Sequence, residues 1–553
     1  MNNNVDTTLY LEPLKYYNYF LKDKHLENIE AFLSGAVEKT NFSIDANKET
    51  VEQYKKKCKE SDDLAKKISK KRAFSGFLLF IGIILCLIIV GIFIILHRKN
   101  KVKKDIEELE KQKAKIDKEK AHFLAEAEAQ TAPLVAALDS ETAVKLMEQT
   151  APILDFDERC EPELVDRMVE QFGLKEDEFD NHSTLVVQSG EINGNPFMLT
   201  QTYAMNMYPK IYTGHLVISW TTTERDGNGN TRVVTHTQTL TATVTEDAPN
   251  YAVQTQLILA SDAAPKLSFK REPAGLAGKS EKEMERYVKS FEKKDAKAAE
   301  KAVKKGQSYT KMANSKFEAY LNSSDRNNEV EYRLLFTPLA QNNICTLFSQ
   351  SEPYGDDITY YKKGCINLIY SAHSRNMDYS GGSYNYSSYD YEEIKKKFTD
   401  YNMNFFQGLY YDFLLFLSIP MFHQHTPLPF IPTHEPTRNV SSYETECLLN
   451  KLEDTKQFAH EDTDTEIILT TEVVNKGKNV DEINVVAHSF KEVPHVTMVP
   501  TLGGDGRMHP VPVHYFTYEP LTKKTPMVVF KNAVPKGKEG IIMEYRHLYL
   551  ANK

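Results

Sequence analysis

Residues 77–96 read FLLFIGIILCLIIVGIFIIL, twenty consecutive residues without a charge. At about 1.5 Å per residue a continuous helix of that length covers the roughly 30 Å hydrocarbon core of a bilayer, and a buried core helix seldom stays apolar on every face for so long. The stretch therefore predicts a transmembrane helix over 74–97, running from Phe77 through Gly82, Cys86 and Gly91 to Leu96. Basic residues flank it on both sides, with Lys70, Lys71 and Arg72 before it and Arg98 and Lys99 after it. The positive-inside rule ties between them. Translocating a lysine-rich tail of 73 residues is the less usual event, so the single-pass reading leans toward an extracytoplasmic body anchored in the cell membrane.

Around that stretch the chain divides by its periodicity. Residues 1–73 carry a charged amphipathic helical pattern, too long and too charged for a cleaved signal peptide. Val102, Ile106, Leu109, Lys113, Ile116, Lys120, Phe123 and Ala127 then follow alternating steps of four and three, a heptad seam with lysines at two core positions. Residues 98–180 accordingly read as a helical stalk, either a weak dimerising coiled coil or a single amphipathic helix. From 183 to 272 the apolar period falls to two. Asn193-Gly194 sits between apolar runs as a type I′ hairpin turn, and the alternation of Thr237, Thr239, Thr241 and Thr243 fits strands with one solvated face. Residues 273–440 mix helix and strand, with 329–336 reading as a strand and 392–419 as a long helix. Residues 441–553 return to strands, two of them joined by Gly503-Gly504-Asp505-Gly506. The fold class expected is α+β: transmembrane helix, helical stalk, then antiparallel β-rich and mixed units.

Three stretches resemble an uncharacterised family of bacterial membrane-anchored proteins from mollicutes and low-GC Gram-positives: 214–244, 317–341 and 503–515, the last reading GGDGRMHPVPVHY. The resemblance implies an N-terminal anchor and a large soluble α+β region. It implies no activity and carries no catalytic residue over.

Chemistry-bearing motifs are sparse. A net charge of −9 argues against a nucleic-acid partner, and the six cysteines contain no CxxC pair, so neither a zinc knuckle nor a disulfide scaffold is signalled. Gly278-Lys279-Ser280 suggests a phosphate loop, but the first glycine of GxxxxGK[ST] would fall on Pro273, which breaks the motif. His423 and His425 stand two apart and are followed by His434 and Glu435, the residue types of a three-ligand metal site, although a proline-stiffened segment separates the pairs. Asp505, Arg507, His509 and His514 cluster around a glycine turn able to approach an anion. The run YSGGSYNYSSYDY over 379–391 has the composition of an adaptable binding loop.

With no complete catalytic or cofactor signature, the expected function is that of a membrane-anchored interaction or scaffold protein with an unidentified protein partner. The alternatives are a metal-dependent membrane-tethered hydrolase using the histidine cluster, and anionic-lipid or envelope binding through the basic flanks.

Overall fold

The structure, a computed structural model, describes residues 8–84, 89–175, 181–225, 231–304, 312–351, 354–424, 426–432, 439–531 and 541–553. The chain forms two compact units. One comprises Asn18–Ala151 and Ser380–Gln407; the other comprises Met1–Tyr17, Pro152–Tyr379 and Gly408–Lys553.

The first unit is helical. Its principal elements are α1 (Lys22–Lys39), α2 (Ile44–Ile84), α3 (Ile89–His97) and α4 (Lys103–Ala137). The heptad seam predicted from the sequence is the face of α4 that is buried or half-buried, and what it packs against is α2 of the same chain, in antiparallel sense. Polar pairs record the register: Asn47 with Gln130 at 3.2 Å, Lys57 with Glu119 at 2.8 Å, Ser61 with Asp117 at 2.6 Å and Lys71 with Asp105 at 2.6 Å. Between these pairs Ile68, Val102 and Ile106 close a small apolar core. At the other end of α1 and α4, Ile29, Leu33, Leu134, Leu138, Ile394 and Phe398 form the unit's larger core. The tyrosine-rich loop belongs partly to that core: Tyr386 is buried and donates to the Leu138 carbonyl at 2.7 Å, while Tyr384 faces solvent.

This arrangement corrects the expectation of a transmembrane helix. Among the described residues, no helix is long and apolar enough to cross a membrane. The run over 77–96 is divided between two antiparallel helices, so Phe77 and Gly82 lie on α2 while Gly91 and Leu96 lie on α3; Cys86 is outside the described residues. Each helix contributes about eight residues of the run, roughly 12 Å of rise, well short of a bilayer core. The single-pass placement at the cell membrane falls with the helix it required.

The second unit carries the β-structure. Strands β1 (Leu154–Phe156), β2 (His182–Ile192), β3 (Asn195–Arg225), β4 (Thr231–Ala260), β5 (Ser268–Arg271), β6 (Ser323–Ser324), β7 (Ile358–Lys363) and β8 (Ile366–Ser371) form an eight-stranded sheet in the order β1-β2-β3-β4-β8-β7-β5-β6. Strands β9 (Ile468–Lys476), β10 (Val480–Leu502), β11 (Met508–Lys531), β12 (Ile541–Tyr545) and β13 (Leu548–Asn552) form a second sheet, ordered β12-β13-β11-β10-β9. The α+β class with antiparallel sheets therefore stands. Asn193 and Gly194 both adopt positive φ, 49° and 74°, as a type I′ turn requires.

The helix Ser442–Asn450 joins the two sheets. Its Leu448 and Leu449 enter the core of the second sheet, and its Cys447 enters the core beneath the first. Glu446 Oε2 accepts from the Thr184 backbone N–H at 2.9 Å, fixing the helix on β2.

Residues 329–336, expected as a strand, form the helix Glu329–Leu335. The Asn328 side chain accepts from the Glu331 N–H and caps it, and Tyr332 and Leu335, three apart, supply its buried face.

Candidate functional site

The most conspicuous surface of the helical unit lies where α2 and α3 run side by side. Phe74, Phe77, Phe80, Ile83 and Ile84 on α2, with Ile92, Phe93 and Leu96 on α3, are large apolar side chains left to solvent. Phe80 is 65 % exposed and Phe93 68 %. Scattered apolar side chains are ordinary on a protein surface, but eight large ones exposed on one helical pair are a concentration of the kind that marks an interaction site. Burying a side chain of this size is worth roughly 1.5–3 kcal/mol.

Polar residues gather at the base of this tip. In the sequence Lys70, Lys71 and Arg72 stand on one side of the apolar run and Arg98 and Lys99 on the other; the antiparallel pairing brings both groups to the same end of it. Arg98 Nε donates to the Ser75 carbonyl at 2.8 Å and to the Ser75 hydroxyl at 3.0 Å. Lys71 pairs with Asp105, and Arg72 with Glu110 at 2.6 Å. Lys70 and Lys99 are exposed. The geometry thus yields an apolar tip on a cationic collar, an assembly that linear order disguises as two separate flanks.

Of the proposed metal ligands, His423 alone is among the described residues. His423 is buried on the helix Pro420–Gln424, its ring 5.0 Å from that of Tyr10, and burial lowers its pKa to about 4. Its Nε2 has no hydrogen-bond partner among the described residues. His425, His434 and Glu435 lie outside the described residues. The cluster near 505 is a hairpin turn in which His509 Nε2 stands 3.0 Å from the Asp505 carboxylate, so that carboxylate answers its own turn's polar groups and sits below the usual range.

The Gly278-Lys279-Ser280 region likewise satisfies itself. Ala274 N–H donates to Asp356 Oδ1 at 3.0 Å, Leu276 N–H donates to the other oxygen, and the buried Arg271 pairs with the same carboxylate. The amides of Ala274, Leu276, Lys279 and Ser280 are thus engaged from within the chain.

No family model, curated protein or solved structure matches this chain.

One buried constellation escaped the sequence reading because its members are far apart along the chain. His373 Nδ1 is 2.7 Å from Asp357 Oδ2, and its Nε2 is 3.1 Å from the Gly408 carbonyl and 3.5 Å from Asp412 Oδ1. Burial lifts the Asp412 carboxyl to about 6, partly offset by His373. Burial opposes charge on His373 as well, but Asp412 and Asp357 outweigh it and raise its pKa above the ordinary value. The serine hydroxyls nearby pair with each other, Ser371 with Ser374 at 2.6 Å, rather than with the imidazole. The cluster ties the segment after β8 to the helix Tyr391–Leu417.

A second exposed surface belongs to the β unit. The long hairpins β3/β4 and β10/β11 pack face to face through Ile218, Leu240, Ala242, Val511 and Val513. Outward from them, β3/β4 shows the threonine row Thr235 to Thr245, and β10/β11 shows Val496, Met498, Leu502 and Met508.

Proposed function

We propose that this protein is a non-enzymatic interaction protein, a scaffold that docks through the apolar tip of the α2/α3 helical pair. The observation that carries the reading is the set of eight exposed apolar side chains on α2 and α3, collected at one end of a hairpin braced by the Ser75–Arg98 contact. A surface of this kind releases hydrophobic free energy only when something covers it. Two buried ionic clusters elsewhere, Arg271 with Asp356 and His373 with Asp357 and Asp412, are paired internally, which suits structural roles. Metal-dependent hydrolysis, the competing reading, needs His423 beside His425, His434 and Glu435, and three of those four are outside the described residues.

Binding of the full chain to micelles of a non-ionic detergent, followed by sedimentation velocity, tests the docking role with a probe that offers only apolar surface. Wild-type chain is expected to bind detergent. The variant Phe80→Ser/Ile92→Ser/Phe93→Ser, with unchanged circular dichroism, is expected to remain detergent-free. Equal behaviour of the two proteins, both without detergent, would overturn the reading.

A further inference from the structure

We infer that the partner of this tip is one leaflet of an anionic lipid bilayer, entered from one side without crossing. The inference rests on the reading of the tip as a docking surface. Three observations carry it.

The first is length. From Phe77 to Ile84 on α2, and from Ile89 to Leu96 on α3, the apolar part of each helix rises about 12 Å, against roughly 15 Å for half of a bilayer core.

The second is charge. From residue 64 to residue 104 the sequence contains no Asp or Glu, and it carries Lys66, Lys67, Lys70, Lys71, Arg72, Arg98, Lys99, Lys101, Lys103 and Lys104. On a spanning helix those cations would divide between two membrane faces. The antiparallel pairing brings both groups to one end of the apolar run, where the exposed Lys67, Lys70, Lys99 and Lys101 can meet a single anionic surface.

The third is what the collar excludes. Two copies packed side by side through their tips would bring the exposed Lys67, Lys70, Lys99 and Lys101 of one against those of the other, a like-charge contact that an anionic surface avoids. Within the collar Lys71 pairs with Asp105 and Arg72 with Glu110, so the exposed Lys67, Lys70, Lys99 and Lys101 are the cations offered to headgroups.

Flotation of the full chain with vesicles of phosphatidylcholine, alone or mixed with phosphatidylserine at roughly three to one, tests this. Binding is expected to be at least about tenfold tighter on the anionic vesicles and to weaken as salt rises. The variant Lys67→Gln/Lys70→Gln/Lys99→Gln/Lys101→Gln should lose that preference while still binding non-ionic detergent. With native cysteines replaced, Lys66→Cys and Asn100→Cys should each be labelled by an impermeant maleimide added outside vesicle-bound protein. Protection of either cysteine overturns one-sided entry. Salt-insensitive flotation equal on both vesicle types, or self-association in place of flotation, overturns the lipid assignment while detergent binding leaves the docking role standing. Wild-type chain that binds neither vesicle nor detergent overturns both.

Discussion

Arg98 and Ser75 are hydrogen-bonded neighbours, 2.8 Å from guanidinium Nε to carbonyl oxygen, although twenty-two residues separate them in the sequence. That contact decides how the apolar run is used. In one continuous helix the two residues would stand about 35 Å apart, on opposite sides of a bilayer. Paired, they make a hairpin whose base is polar and whose tip is not. The flanking cations become one collar, and the heptad seam of α4 finds its partner in α2 of the same molecule.

Buried histidine makes the helical unit sensitive to acid. His25 lies 2.8 Å from Thr150 Oγ1 and 3.2 Å from the Asn402 carbonyl, stacked on Phe406, and burial lowers its pKa to about 4. A folded-state value below the unfolded one means that the unfolded chain binds the proton first. This contribution is therefore whole above about pH 6.5 and shrinks as pH falls toward 4. Between pH 7 and pH 5 His25→Gln should lose less stability than wild type, by up to about 2 kcal/mol, read from hydrogen-exchange protection of α1. Identical acid sensitivity of the two proteins would contradict the assignment.

The Arg271–Asp356 pair is a stability element. Both side chains are almost fully buried, and the carboxylate also holds the 274 and 276 amides. Asp356→Ala strands a cation, whose guanidinium lies 3.9 Å from the centre of the Phe348 ring, and should destabilise the fold by roughly 3–5 kcal/mol. Replacing both partners, Arg271→Met with Asp356→Asn, should recover much of that loss in a denaturant titration. Equal stability of the single and double variants would contradict the pairing.

Close approach of the two long hairpins depends on Gly214. A Cβ there would meet the Pro512 carbonyl oxygen well inside contact distance and press on the Val513 Cα. Gly214→Ala should therefore part the hairpins locally, exposing Leu240 and Val511 and speeding limited proteolysis within 207–250 and 491–520, while the cores nearer Leu448 stay protected. Unchanged cleavage rates would show that the hairpins are not held at this point.

Local chemistry made much of this fold legible. Asn193-Gly194 announced its turn because two consecutive positive φ values suit few other residue pairs. The alternation on β4 told its solvated threonine side from the Leu240 and Ala242 side, and the α4 seam was visible as a heptad. What stayed hidden is relational. A heptad specifies an apolar face and not whose helix covers it. Twenty apolar residues without a charge carry no sign of a change of direction, so the tip and its collar read as a span with two flanks. Glu329–Leu335 misled because three residues decide its helix: the Asn328 cap and the two buried side chains Tyr332 and Leu335, in a segment whose alternation also suits a strand. Composition made the tyrosine loop look adaptable, whereas Tyr386 is committed to the core. The His373, Asp357 and Asp412 cluster had no sequence signal at all, since its residues meet only through packing.

The most direct test of this account is distance across the hairpin. With native cysteines replaced, Ser75→Cys and Arg98→Cys in the full chain are treated with a short bis-maleimide reaching about 10 Å, and cross-linking within one chain is scored by mass spectrometry after proteolysis. Antiparallel pairing of α2 and α3 predicts a high yield of the intramolecular 75–98 cross-link, independent of protein concentration. Absence of that link, with both cysteines shown to be reactive, would mean a separation nearer the 35 Å of a continuous helix and would contradict the hairpin.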